Sequence, residues 1–184
     1  MRGLLLALFF LAADDATLKA GTFDPPRAAP DFALRGSDGA ELRLSHYRGK
    51  LVVLGFGFTS CPEVCPTTLA TLAQARKQLG AQAKDVQVVY VTVDPERDGV
   101  ARLKKYLATF DPSFVGGTGT DEQLAAVRKE FGITATRKTS GDSYTFSHSS
   151  YTYLIDREGL MRALMPYGQS ADDYAHDLRI LLRP

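Results

Sequence analysis

Runs of apolar residues in this chain change period several times, and each change marks an element. Leu51 to Phe58 is a β-branched and aromatic run, and Val86 to Val93 is a second, nearly continuous one. Such runs fill strands covered on both faces. Between them Leu69, Leu72 and Leu79 recur at helical spacing. Pro66 suits the first helical position, where its missing N–H costs nothing, so a helix is expected from Pro66 to about Leu79. Strand, helix and strand make a βαβ unit with a parallel pair.

Asp94-Pro95-Glu96-Arg97-Asp98 stops the second strand, and Val100 to Phe110 has apolar residues at helical spacing. Asp121 to Phe131 is a further helix, opened by Thr120 as cap with Gln123 three residues on. Tyr144 to Ile155 alternates aromatic or aliphatic with small polar residues, then turns at Asp156-Arg157-Glu158-Gly159 into Leu160 to Met165, an antiparallel hairpin. A last helix is expected from Ala171 to Leu182. The Ser-, Thr- and Gly-rich stretch from Thr136 to Ser149 is expected as an exposed connection. Upstream, Phe32-Ala33-Leu34 and Leu42-Arg43-Leu44 flank Ser37-Asp38-Gly39-Ala40, a hairpin signal. The order of elements predicts an α/β, thioredoxin-like fold: a central mixed sheet flanked by helices, with an N-terminal β-hairpin.

At 184 residues and 45% hydrophobic content the chain can bury one substantial core, with no sign of a second domain in that core region. A formal net charge of +1 with interspersed signs gives no footprint for nucleic acid, and no basic run suggests anionic lipid. Arg2 precedes an unbroken apolar run from Gly3 to Ala13, as in a secretory signal; the run is shorter than the roughly 20 residues needed to span a bilayer. No clean Ala-x-Ala site follows it, so residues 1–20 are expected to be a signal peptide or a short membrane anchor, with any membrane attachment through this segment alone. Residues 21–30, with Pro25, Pro26 and Pro30, are expected as an extended tether. The folded domain is then 31–184, placed outside the cytoplasm: periplasmic or on the outer face of the cytoplasmic membrane.

The chain has two cysteines, both in Thr59-Ser60-Cys61-Pro62-Glu63-Val64-Cys65-Pro66. Their spacing suits two thiolates converging on one metal ion and also permits a disulfide in a tight turn. A position before a helix N-terminus favours thiolate, which is both nucleophile and metal ligand. Of three histidines, His148 in Phe146-Ser147-His148-Ser149-Ser150 lies where a thioredoxin-like sheet would bring it beside that helix end. Two thiolates and one imidazole form a soft set suited to Cu(I), with room for an oxygen ligand to Cu(II). His46 and His176 are expected to be solvated and without a role. Asp94 and Asp98 are open to two readings, an outer carboxylate for the site or turn formation at the strand end. Met161 and Met165 are expected in the core.

Gly57 to Pro66, Val93-Asp94-Pro95-Glu96-Arg97-Asp98, and His148 ahead of Tyr153-Leu154-Ile155-Asp156 resemble the Sco/SenC family of copper-binding proteins, over about Asp31 to Leu182. The resemblance implies copper bound by Cys61, Cys65 and His148. It also implies delivery of copper to the copper-bearing subunit of cytochrome c oxidase, or reduction of that centre's cysteines. A separate copper donor and a thiol reductant are further partners of such a role. Many members have Asp directly before the ligand His, where this chain has Ser147. The competing class is an extracytoplasmic thiol–disulfide oxidoreductase with Cys61 and Cys65 as its redox-active pair. A secreted interaction module is the reading left if His148 is remote from the thiols.

Overall fold

The structure, a computed structural model, describes residues 17–183. Two buried parallel strands form its centre: β4 (Leu51–Gly57) and β5 (Val86–Thr92), in register from Leu51 opposite Val86 to Gly57 opposite Thr92. Every residue of both is buried, as their almost wholly apolar sequences require. Around them the other strands are β1 (Gly21–Ala28), β2 (Leu34–Gly36), β3 (Glu41–Leu42), β6 (Val115–Thr118), β9 (Tyr151–Ile155) and β10 (Leu160–Pro166). The sheet order is β1-β10-β9-β4-β5-β6-β2-β3, with β4, β5 and β6 parallel and the remaining pairs antiparallel. Helices α1 (Val64–Leu79), α2 (Val100–Ala108), α3 (Asp121–Glu130) and α4 (Ala171–Leu181) flank it, α1 packed on α4 and α2 on β6. This is the expected mixed thioredoxin-like sheet, and β2–β3 is the expected N-terminal hairpin. Thr120 and Gln123 close the predicted capping box at α3.

Three stretches differ from expectation. The segment read as a tether is extended, but it is docked as the edge strand β1. Gly21 and Thr22 pair with Leu164 and Ala163, and Arg27 and Ala28 pair with Met161 and Leu160. The register shifts between those two pairings, where Pro25 and Pro26 cannot donate to a ladder; an edge strand tolerates this. Ahead of β1, the Lys19 and Ala20 amides donate to the buried Asp177 carboxylate at 2.8 and 2.9 Å. Most of the segment expected as a leader or anchor lies outside the described residues; among those described, no helix is long and apolar enough to cross a membrane.

Second, the expected connection after Thr136 is a two-stranded antiparallel sheet, β7 (Ala135–Ser140) and β8 (Ser143–His148), turning at Gly141 with φ +57°. The run from Tyr144 to Ile155 is therefore two strands in two sheets, broken at Ser149-Ser150. Third, β6 is a short strand beside β5. Its Gly116 lets α2 lie close, since a Cβ there would stand 2.9 Å from Leu107 Cδ1.

Candidate functional site

The parallel strands β4 and β5 end side by side, with the Val93 amide donating to Gly57 O at 2.8 Å. The segments leaving them, Thr59-Ser60-Cys61 and Asp94 to Asp98, are tied by one carboxylate. Asp98 is wholly buried and accepts from the Thr59 amide at 2.8 Å, the Thr59 hydroxyl at 2.5 Å and the Thr92 hydroxyl at 2.7 Å. Arg102, half exposed, lies 3.7 Å from the same carboxylate and donates to Thr59 Oγ1 and Ser60 Oγ from outside. The loop carrying Cys61 is thus fixed two residues upstream of the sulfur.

Helix α1 begins at Val64, two residues before the expected start, so Cys65 sits in its first turn. The cysteines are unbridged, Cys61 partly exposed and Cys65 buried. The Cys65 amide donates to Cys61 Sγ at 3.4 Å. Hydrogen bonding from the Cys65 thiol, aided by the amides of Cys65 and Glu63 and by His148, pulls the Cys61 thiol down to about 5 against the opposing effect of burial. The Cys65 thiol is pushed far up by that same pairing and by burial. One proton is shared and Cys61 is the thiolate.

His148 Nε2 lies 3.6 Å from Cys65 Sγ, and Nδ1 lies 2.7 Å from Ser149 O. A carbonyl can only accept, so Nδ1 carries a proton and Nε2 is the ring atom turned toward the sulfur. This is the arrangement of a histidine oriented as a metal ligand. Among the described residues no three His, Cys, Asp or Glu side chains are already gathered closely enough to hold a metal ion. The preformed pair is Cys65 and His148, with Cys61 Sγ still on the Cys65 amide.

His148 reaches the site on β8. Strand alternation puts Tyr144, Phe146 and His148 on one face, half-buried, and exposes Ser143, Thr145 and Ser147. Phe58, at the end of β4, receives both Phe146 and His148 edge-on, at 5.8 and 5.9 Å between centroids. Tyr144 is held between the guanidinium groups of Arg97 and Arg137, at 3.9 and 3.5 Å. Its hydroxyl is 3.0 Å from a carboxylate oxygen of Asp94 and of Glu96, Arg97 pairs with Asp94, and Arg137 pairs with Glu96. The Asp94 to Asp98 motif therefore does two positioning tasks: Asp98 pins the cysteine loop and Asp94, through Arg97 and Tyr144, pins the histidine hairpin.

Cys61, Cys65 and His148 are brought to one end of the sheet. His176 pairs instead with Asp177 on α4, and His46 lies in the 3-10 turn Leu44–Tyr47. Met161 and Met165 are core residues of β10, as expected. The exposed position of Ser147 shows that a longer acid there would start from the solvent face of β8. Tyr144, Arg97 and Phe58 as positioners of the histidine were not foreseen; the alternation from Tyr144 to His148 was the available signal.

The SCO1/SenC family model matches residues 21–183. A "SCO2-like protein" of Rickettsia felis is 37% identical over 139 residues, covering 74% of this chain and 68% of the relative. Among solved structures, copper-bound ScoI of Bradyrhizobium japonicum is 31% identical with a TM-score of 0.78, over 84% of this chain and 99% of that one. Copper-bound yeast Sco1 is 28% identical with a TM-score of 0.75, over 84% of this chain and 87% of its own. With the match running from the edge strand β1 to the end of α4, the chain belongs to the SCO1/SenC family.

Proposed function

We propose that this protein is a copper metallochaperone that takes one copper ion on Cys61 Sγ, Cys65 Sγ and His148 Nε2 and passes it to the copper-bearing subunit of cytochrome c oxidase. The observation that carries the reading is the Cys65–His148 contact of 3.6 Å, with Nε2 turned toward the sulfur and Nδ1 held on the Ser149 carbonyl. The copper-bound ScoI and Sco1 structures support copper as the cargo, and the donor set has the softness that copper selects. To join the pair, Cys61 Sγ leaves the Cys65 amide, a rearrangement confined to the loop between Thr59 and Val64. Transfer then proceeds by ligand exchange, the incoming thiolates of the acceptor replacing those of the donor one at a time. The oxidase as acceptor rests on family membership, and export of the domain rests on Arg2 and the apolar run after it.

Copper titration of the reduced protein tests this directly. One equivalent is expected to bind, with an intense thiolate-to-copper charge-transfer band for Cu(II). His148→Ala is expected to weaken binding and alter the band, whereas His46→Ala leaves both unchanged. An equal effect of the two variants would remove His148 from the site. The oxidoreductase reading has one observation of its own, the partly exposed low-pKa Cys61 thiolate. It predicts disulfide reductase turnover that survives His148→Ala.

A further inference from the structure

Behind the exposed side of the site stands a tyrosine that neither the sequence motifs nor the copper reading uses. Tyr90 lies on β5 with only 3% of its surface exposed, and its hydroxyl is buried without a hydrogen-bond partner. Buried hydroxyls are nearly always paired, so an unpaired one beside a reactive sulfur calls for an explanation. Its location is fixed by Gly57: a Cβ built there would overlap the Tyr90 hydroxyl and stand 2.7 Å from Cys65 Sγ. Hydroxyl and sulfur therefore share one space against a residue that has no side chain. The adjoining cavity, bounded by Cys65, His148, Tyr90 and Tyr174 among others, measures about 20 Å³ and has room for no more than a single water. The protein must supply nearly all the solvation of any charge on Cys65.

We propose that Tyr90 is a positioning residue for Cys65, its hydroxyl donating a hydrogen bond to that sulfur whenever the sulfur carries negative charge, as copper ligand or as leaving thiolate. While Cys65 is a neutral thiol the hydroxyl has only a weak acceptor and stays unpaired; ionisation of the sulfur creates a strong one. A tyrosine hydroxyl is an ordinary O–H donor, so the donor is at hand when the sulfur takes on charge. The inference deepens the reading of the Cys–His site but also has a consequence without copper. In the disulfide form a dithiothreitol thiolate attacks the more accessible Cys61 sulfur. A new S–S bond forms there, the Cys61–Cys65 bond breaks, and its electron pair leaves on Cys65; the second dithiothreitol thiol then closes its own disulfide and releases Cys61.

The test is Tyr90→Phe, with Tyr174→Phe as control, since Tyr174 lines the same cavity but its hydroxyl is bonded to Thr152 at 2.9 Å. Tyr90→Phe removes only an oxygen that has no partner in the thiol state, so the reduced variant is expected to keep the circular dichroism and melting temperature of the parent or exceed the latter. Its disulfide is expected to be reduced by dithiothreitol at pH 7 about tenfold more slowly, while Tyr174→Phe keeps the parental rate. With Cu(II), Tyr90→Phe is expected to move the thiolate charge-transfer band to longer wavelength, because loss of the hydrogen bond raises the energy of the sulfur electrons. A parental reduction rate in Tyr90→Phe overturns the proposal. Slowed reduction in a protein that binds no copper sustains Tyr90 and overturns the copper reading, so the two failures are distinguishable.

Discussion

Asp98→Ala removes the carboxylate that holds the cysteine loop to the end of β5. Three donors lose their acceptor: the Thr59 amide, the Thr59 hydroxyl and the Thr92 hydroxyl. The Thr59 hydroxyl keeps its bond from Arg102 and is within reach of water, so it contributes little. The Thr92 hydroxyl belongs to a side chain with no exposed surface, and the Thr59 amide is partly buried. Leaving a buried donor unpaired costs roughly 1–3 kcal/mol, so the two together are expected to cost about 2–6 kcal/mol, a large share of a domain's stability. Arg102 adds no buried cation, because half of its side chain is already exposed. Asp98→Asn separates hydrogen bonding from charge. The amide keeps one acceptor oxygen, and its NH2 can donate to a threonine hydroxyl rotated to accept, so less than half of the alanine loss, about 1–2 kcal/mol, is expected. Urea unfolding of the reduced protein measures both variants. An Asp98→Ala loss below about 1 kcal/mol, or an Asp98→Asn loss as large as that of Asp98→Ala, would refute the argument from unpaired donors. In the same variants the Cys61 loop is expected to loosen, seen as faster amide exchange at Ser60 and Cys61 with β4 still protected.

Gly57→Ala puts a methyl where the Tyr90 hydroxyl and Cys65 Sγ now stand. It is expected to cost about 1–3 kcal/mol in unfolding experiments and to weaken copper binding, and Tyr90→Phe in the same chain is expected to recover part of the loss; no recovery would mean that the hydroxyl is not the obstacle. Tyr144→Ala removes the residue clasped by Arg97 and Arg137, so amide exchange is expected to speed up across residues 135–148 while the central strands stay protected; uniform acceleration would show that the hairpin is not separately docked. Alkylation of Cys61 by iodoacetamide follows its thiolate fraction, so the rate is expected to rise through about pH 5 and level off by pH 7. An unperturbed thiol would instead still be rising through pH 8.5, and that profile would contradict the hydrogen bonding described at Cys61.

What was legible in the sequence followed from how strongly burial constrains composition. β4 and β5 are covered on both faces, so their residues are almost all apolar, and α1 between them carries its leucines at helical spacing. The capping box at Thr120 is local chemistry and was read correctly. β7 escaped because all but its first residue are exposed, and β8 was read as one strand with β9 because its alternation runs on toward Tyr151. In β8 the inward residues are Tyr144, Phe146 and His148 and the outward ones serines and a threonine, whereas the exposed polar and basic residues of β7 resemble a loop. β1 escaped because its prolines speak against a strand, and only the sheet shows that they fall at an edge where the register shifts. Cys61, Cys65 and His148, the candidate ligands, stood out as chemistry-bearing side chains before their geometry was known. Their positioners were harder to find. Tyr144 and Asp94 are 50 residues apart, and no periodicity links a tyrosine in one element to an aspartate in another.

The site's residues come from two structural units held by different means. Cys61 and Cys65 belong to the body: the loop is pinned by buried bonds to Asp98, and Cys65 lies within the first turn of a helix packed on the core. His148 belongs to a two-stranded sheet with no ladder to the main one, attached through Phe58 and through a clasp of charged and aromatic side chains around Tyr144. Exposed contacts of the latter kind open at lower free energy than buried ladders. The contact between Cys65 and His148 is therefore governed by the less stable of its two supports, the hairpin. Substitutions at Asp98 act on the sulfurs and on global stability together, whereas those at Tyr144 act on the imidazole with the core intact. The same motif, Asp94 to Asp98, supplies both supports, which explains why it stands directly after β5: only there can one short segment reach the end of β4 on one side and β8 on the other.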